Sequence, residues 1–140
     1  MNFLTRDYKA GRDIGLLVLR VVVALVLLYG HGFEKLTVVF TGQPIQFMDP
    51  IGLGANFSFY LAAFAEGICS IFLILGLFSR FASIILTINF IVIIILHGFI
   101  IGDGFNVLEL RFLYLAAFVA TIFTGPGRIS LDYLFYGRAK

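Results

Sequence analysis

The sequence has no tryptophan, a single cysteine, three prolines and few charges. Charged residues make up 13% of the 140 and hydrophobic ones 61%, where soluble domains carry about 25% and about 45–50%. One cysteine excludes an intramolecular disulfide, a CxxC redox pair and a cysteine-based zinc cluster. That residue, Cys69, lies inside an apolar run and reads as a small packing residue. A formal charge of +2 is too small to suggest a nucleic-acid partner. No GxGxxG, CxxC, haem-attachment or Walker pattern is present, so any electrons have to come from elsewhere. A single domain, 1–140, is expected at this length. A water-soluble fold would have to hide most of this apolar surface in one small core, which a domain of this size has no volume to do. The partner implied by the composition is a lipid bilayer.

Four segments reach, or nearly reach, the roughly 20 apolar residues that a helix needs to cross a bilayer. They run over about 14–33, 57–77, 81–101 and 108–124. Their length argues against strands, and only helices satisfy their backbone groups within such segments. The first span follows basic residues, but it is too long for a signal peptide and no A-x-A site follows it. The expected fold is therefore an all-α integral membrane protein, a bundle of four transmembrane helices.

The basic residues are unevenly placed. Arg6, Lys9 and Arg12 precede the first span, Arg80 sits in the turn "GLFSR", and Arg128, Arg138 and Lys140 follow the last span. Four spans put all of them on one side, opposite Lys35 and Arg111, so both termini are expected in the cytoplasm. The "IGDGFNV" segment at 101–107 reads as an outer turn. The long first connection, Thr37 to Asn56, carries Ile45, Phe47, Met48 and Ile51, too apolar for a solvated loop; it is expected to lie on the membrane surface or cap the bundle. After Gly125 and Pro126 end the last span, Ser130 is placed to N-cap a short interfacial helix with Asp132 near its start.

Against this background the polar residues inside the spans stand out. A charge at mid-helix costs roughly 2.5–3.5 kcal/mol on insertion and is a functional hypothesis by default. Glu66 lies near the midplane of the second span. At a rise of about 1.5 Å per residue, Arg20 lies roughly 9 Å in from the cytoplasmic side, and His31 and His97 share a level roughly 24–26 Å in. Asn89 lies near the midplane, below Glu34, Lys35, Asp103, Glu109 and Arg111. On helical phase, Arg20, Ala24, Leu27, His31 and Lys35 share one stripe. Glu66 shares another with Ala62, Ala63, Cys69 and Ser70, and Glu109 a third with Leu113, Ala116 and Ala120; small residues mark the tightly packed side of a membrane helix. The result is a polar axis that widens outward. Arg20 is the one cation within a span at a depth near Glu66, and two long side chains could meet. Such a pair is either a registry device or part of a site; a protonated Glu66 donating one hydrogen bond is the alternative. Glu66 and Arg20 are the candidates for a proton or hydrogen-bond role. His31, Lys35, Asn89, His97, Glu109 and Arg111 are the candidate ligand-binding residues. The histidines read as interfacial residues, as hydrogen-bond partners of a quinone or other small ligand, or, least favoured, as haem ligands. Asn89 reads as an interhelical hydrogen-bond residue. No metal site is expected.

Three stretches resemble the DoxX family of small four-span membrane proteins. They are "LRVVVALVLLYGHGFEKL", with Arg20 and the spacing of Gly32 to Lys35; "AEGICSIFLILGLFSRFAS", with Glu66, Gly76 and Arg80; and "GPGRISLDYLF". The resemblance covers nearly the whole chain and makes Arg20, Lys35, Glu66, Glu109 and the segment from Gly125 to Asp132 the family-like positions. It implies a bacterial or archaeal cytoplasmic membrane, and for some members a link to a quinone-reducing oxidoreductase or to redox proteins at the membrane. Three functions follow as expectations. The first is a membrane subunit of a quinone-linked redox system, not catalytic alone, with a quinone head in a polar outer-half cavity and a protein partner bearing the electron carrier. The second is a non-catalytic anchor or assembly subunit of a larger membrane complex. A small transporter or binder of a lipid-like ligand ranks last, since four spans are few for alternating access and no internal repeat is visible.

Overall fold

The computed structural model describes residues 8–137. Among them there is no strand, and four helices are long and apolar enough to cross a membrane: α1 Lys9–Thr41, α2 Ala55–Leu75, α3 Ser79–Ile101 and α4 Phe105–Thr124. A short α5, Leu131–Tyr136, follows. The first helix runs on past Phe33 because its next residues can still form one. Thr37 and Thr41 donate to the carbonyls of Phe33 and Thr37, at 2.9 and 2.7 Å, and Gly42 in the left-handed region ends it. Helices α1, α2 and α3 each contain one wider π-helical turn, at Leu28–Gly32, Phe64–Cys69 and Leu96–Ile101.

Chain neighbours pack side by side, α1 on α2, α2 on α3 and α3 on α4. α4 returns to α1 along Lys9–Leu27, where the contact between the two helices is concentrated. Near this closed end the interior is tight: Ala24, Leu27, Cys69, Leu73, Ala82 and Leu86, together with Ser70, Ser79 and Ser83, are fully or almost fully buried. Small residues there let the backbones approach. Large apolar side chains such as Val22, Val26, Ile88, Ile91 and Phe123 point outward, as a lipid-facing surface requires.

The inward face of α4 is not the small-residue stripe. Leu113 is exposed, as are Glu109 and Ala116, whereas Tyr114, Phe118 and Thr121 are buried. The rings of Tyr114 and Phe118 lie 5.0 and 5.6 Å from that of Phe90 on α3. The bundle is wide enough at this level to need aromatic volume, so Ala116 falls on the outside while Ala120 is partly buried.

At the closed end the start of α1, the α2–α3 turn and residues 125–137 are tied together. Arg20 is 3% exposed, and its guanidinium donates to the carbonyls of Pro126 at 2.6 Å and Ile129 at 2.9 Å. Ser130 caps α5 through the Tyr133 N–H, as expected. Asp132 does something the sequence did not announce. Its carboxylate accepts the N–H groups of Phe78 and Ser79, at 2.7 and 2.8 Å, and so caps α3 rather than its own helix. Phe78 has φ 48°, a strained value for a non-glycine residue, and this carboxylate holds it there. Gly76 (φ 68°) has no room for a side chain: an added Cβ would meet Ser130 at 2.6 Å and the Arg20 guanidinium at 2.9 Å. Of the basic residues expected to share one side, Lys9, Arg12, Arg80 and Arg128 lie at this end, with Arg128 3.9 Å from Asp13. Arg6, Arg138 and Lys140 lie outside the described residues.

Candidate functional site

Beyond the tight end, the helices and the first connection enclose a cavity of about 310 Å³. That is within the size range of small-ligand pockets, about 300–1,000 Å³. Its polar lining comes from all four helices: His31 and Lys35 on α1, Glu66 on α2, Asn89 and His97 on α3, Arg111 and Tyr114 on α4. Its apolar walls include Phe90, Ile93, Leu96 and Leu110, and Gln46, Phe47, Met48 and Pro50 of the first connection close it over. That accounts for Phe47 and Met48 in the connection; Ile45 and Ile51 line no part of the cavity. His31 lies in the π turn of α1, Glu66 in that of α2 and His97 in that of α3. Such turns are frequent at functional sites, because the extra residue re-aims the side chains around it.

Glu66 is at the centre of the polar cluster. It is 3% exposed. One carboxylate oxygen accepts from Lys35 Nζ at 2.8 Å and the other from Asn89 Nδ2 at 3.0 Å. A carboxylate at this depth is thus met by a cation and an amide from two different helices, and Asn89 is the interhelical hydrogen-bond residue it was expected to be. The pairing of Glu66 with Arg20 is not made. Gly32 packs directly against the Glu66 carbonyl, so Glu66 is level with a residue twelve positions beyond Arg20, about 18 Å along α1. No arginine side chain reaches that far. Arg20 lies outside the cavity lining, and its bonds go to the C-terminal segment. Lys35 reaches Glu66 because α1 continues as a helix beyond its expected end.

His97 Nδ1 lies 2.6 Å from Asp103 Oδ2, and the Asp103 N–H donates to the His97 carbonyl at 2.8 Å. The turn between α3 and α4 thus fixes the ring. Arg111 donates to the carbonyl of Val107, one turn earlier on its own helix. Glu109 is exposed and lines no part of the cavity. It is the one family-like outer residue on the wrong face of α4. Tyr114 and Gln46 were missed; Tyr114 could have been found from its place three residues after Arg111 on the same helical face.

Six of the eight candidates therefore converge on one cavity. The chain matches the family model of DoxX over residues 15–98, more than half its length. It belongs to the DoxX family. Comparison with curated proteins and with solved structures finds no match. In this DoxX protein the matched region contains α1 almost to its start, all of α2 and most of α3, and with them Lys35, Glu66, Asn89 and both histidines.

The connection that closes the cavity is held by Asp49. Its carboxylate accepts from the Ser58 hydroxyl at 2.7 Å and the N–H groups of Gly54 and Leu53 at 2.8 and 3.1 Å. The Ser58 hydroxyl first, then the backbone bonds, hold the Asp49 pKa below its ordinary value. A lowered folded pKa contributes order that is fully present above the ordinary carboxylate value of about 3.9 and is lost as the pH falls through the lower folded one. Amide exchange is expected to show constant protection of Leu53 and Gly54 from about pH 8 to about pH 5, with loss only below about pH 4. In Asp49→Ala that protection is expected to be weak at every pH. Equal protection in the variant would mean that the connection is held by other contacts.

Proposed function

We propose that this DoxX protein is the membrane subunit of a quinone-linked redox system in a bacterial or archaeal cytoplasmic membrane. Both termini then face the cytoplasm, α5 lies at the interface, and the cavity opens toward the outer leaflet. The placement of Lys9, Arg12, Arg80 and Arg128 at one end supports this orientation. The observation that carries the functional reading is the cavity itself, in which Lys35, Glu66 and Asn89 form one hydrogen-bonded group beside an apolar wall. A bound quinone would supply a carbonyl oxygen that takes up a proton with each electron. Lys35 and Glu66 are placed to hold that proton, Asn89 orients the carboxylate, and the closing connection keeps bulk water out. His31, Leu110 and Arg111 line the cavity from α1 and α4, and a membrane-dissolved molecule would enter between those two helices. Electrons come from a partner protein.

The test is mass spectrometry of the protein gently extracted from its native membrane, with turnover of the reconstituted complex. The expected result is a stoichiometric quinone and a partner that carries a flavin or metal, with Glu66→Gln lowering quinone reduction by about a hundredfold, the scale of lost acid–base assistance. Phospholipid alone with structural partners, or full turnover in the variant, would replace this reading with that of an assembly or anchoring subunit.

A further inference from the structure

One cation in the cavity lining has no carboxylate partner among the described residues. Glu66 is met by Lys35, and the Asp103 carboxylate is engaged by the His97 ring. Arg111 remains. Its guanidinium reaches only the carbonyl of Val107, and no carboxylate among the described residues forms an ion pair with it. Glu34 and Glu109, the nearest acids in sequence to His31 and Arg111, are exposed and outside the lining. An arginine does not shed its proton, and its planar fork matches an oxyanion. A half-buried cation beside Phe90, Ile93, Leu96 and Leu110 is costly without a counter-ion. The same wall disfavours a bare inorganic ion, which would keep its own hydration.

We propose that the cavity takes an amphiphile with an acidic head, whose negative charge is met by Arg111 and whose apolar body lies along Phe90, Ile93 and Leu110. The acidic oxygen could belong to an ionised ring hydroxyl or to a lipid carboxylate; the chemistry Arg111 recognises is the same. This rests on the cavity being a ligand site, as argued above, and does not require the ligand to be redox-active.

The test compares four probes on the purified protein in zwitterionic phosphatidylcholine nanodiscs, with affinities from native mass spectrometry. They are an alkylated hydroxynaphthoquinone ionised at neutral pH, the neutral naphthoquinone with the same tail, a medium-chain fatty acid, and inorganic phosphate. The two acidic amphiphiles are expected to bind at least about tenfold more tightly than the neutral quinone, the scale of one charge-assisted contact. Arg111→Gln should erase that preference and Arg111→Lys should keep part of it. Equal binding of the neutral and ionised quinones to the unmodified protein overturns the proposal, whether or not Arg111→Gln folds, and leaves the quinone reading standing. Phosphate binding as tightly as the amphiphiles also overturns it. Fatty acid binding lost in Arg111→Gln, with neither quinone bound, upholds it and removes the quinone reading.

Discussion

Replacing Lys35 with methionine is expected to lower the stability of the folded protein by about 3–5 kcal/mol, the usual cost of stripping a buried charge of its partner. The side chains of Lys35 and Glu66 are only 16% and 5% exposed, with 2.8 Å between the paired atoms. Methionine fills much the same volume, so the loss comes from the charge and not from a cavity. Asn89 still donates to the other carboxylate oxygen, but an amide cannot neutralise it. Adding Glu66→Gln to Lys35→Met should recover most of the loss, because two neutral side chains of similar shape replace an ion pair at little net cost. The measurement is a double-mutant cycle on unfolding from lipid or mild detergent. Simple addition of the two single effects would show that the pair contributes nothing as a pair. The same cycle separates structure from the proposed function: if that proposal holds, the double variant should fold and yet fail to turn over quinone in the reconstituted complex.

Much of this architecture was legible in the sequence, and the reason is physical. A bilayer demands long unbroken apolar helices, and composition alone reveals them. The stripe around Glu66 was also legible, since Ala62, Ala63, Cys69 and Ser70 are all buried or nearly so. What failed was any inference that required knowing how far two helices slide past one another. Depth counted from the apolar boundaries of each span puts Arg20 within side-chain reach of Glu66. The observed register is set by the contact of Gly32 with the Glu66 backbone, and that puts Lys35 where Arg20 was expected. The face of α4 failed for a different reason. Small residues mark a close interface only where helices are close, and near Tyr114 the bundle is held apart by aromatic rings and a cavity. The role of Asp132 could not be seen at all, because its partners Phe78 and Ser79 come from a turn more than fifty residues away.

The second large effect is expected at that register contact. In Gly32→Ala the new methyl group would collide with the Glu66 carbonyl oxygen, with the carbonyl carbon only 2.8 Å away and the Gly67 Cα at 3.1 Å. These are backbone atoms in the π turn of α2, so no side chain can rotate aside. α1 and α2 must separate, at a cost of about 1–3 kcal/mol for forced overpacking, and Lys35 must move from its carboxylate as they do. The loss is therefore expected to exceed the steric term and to include part of the ion pair. Ligand binding should fall with it, because Lys35 and Glu66 line the cavity from the two helices being forced apart. Gly30 supplies the control. It is two residues away, and an added Cβ there meets nothing within 4 Å; Gly30→Ala should be neutral or stabilise α1 by up to about 1 kcal/mol through helix propensity. Thermal unfolding and ligand affinity of the two variants side by side decide the matter. If Gly30→Ala and Gly32→Ala behave alike, the close approach of α1 to Glu66 is not what sets the register, and the placement of Lys35 against the carboxylate has to be explained from the α3 side, through Asn89.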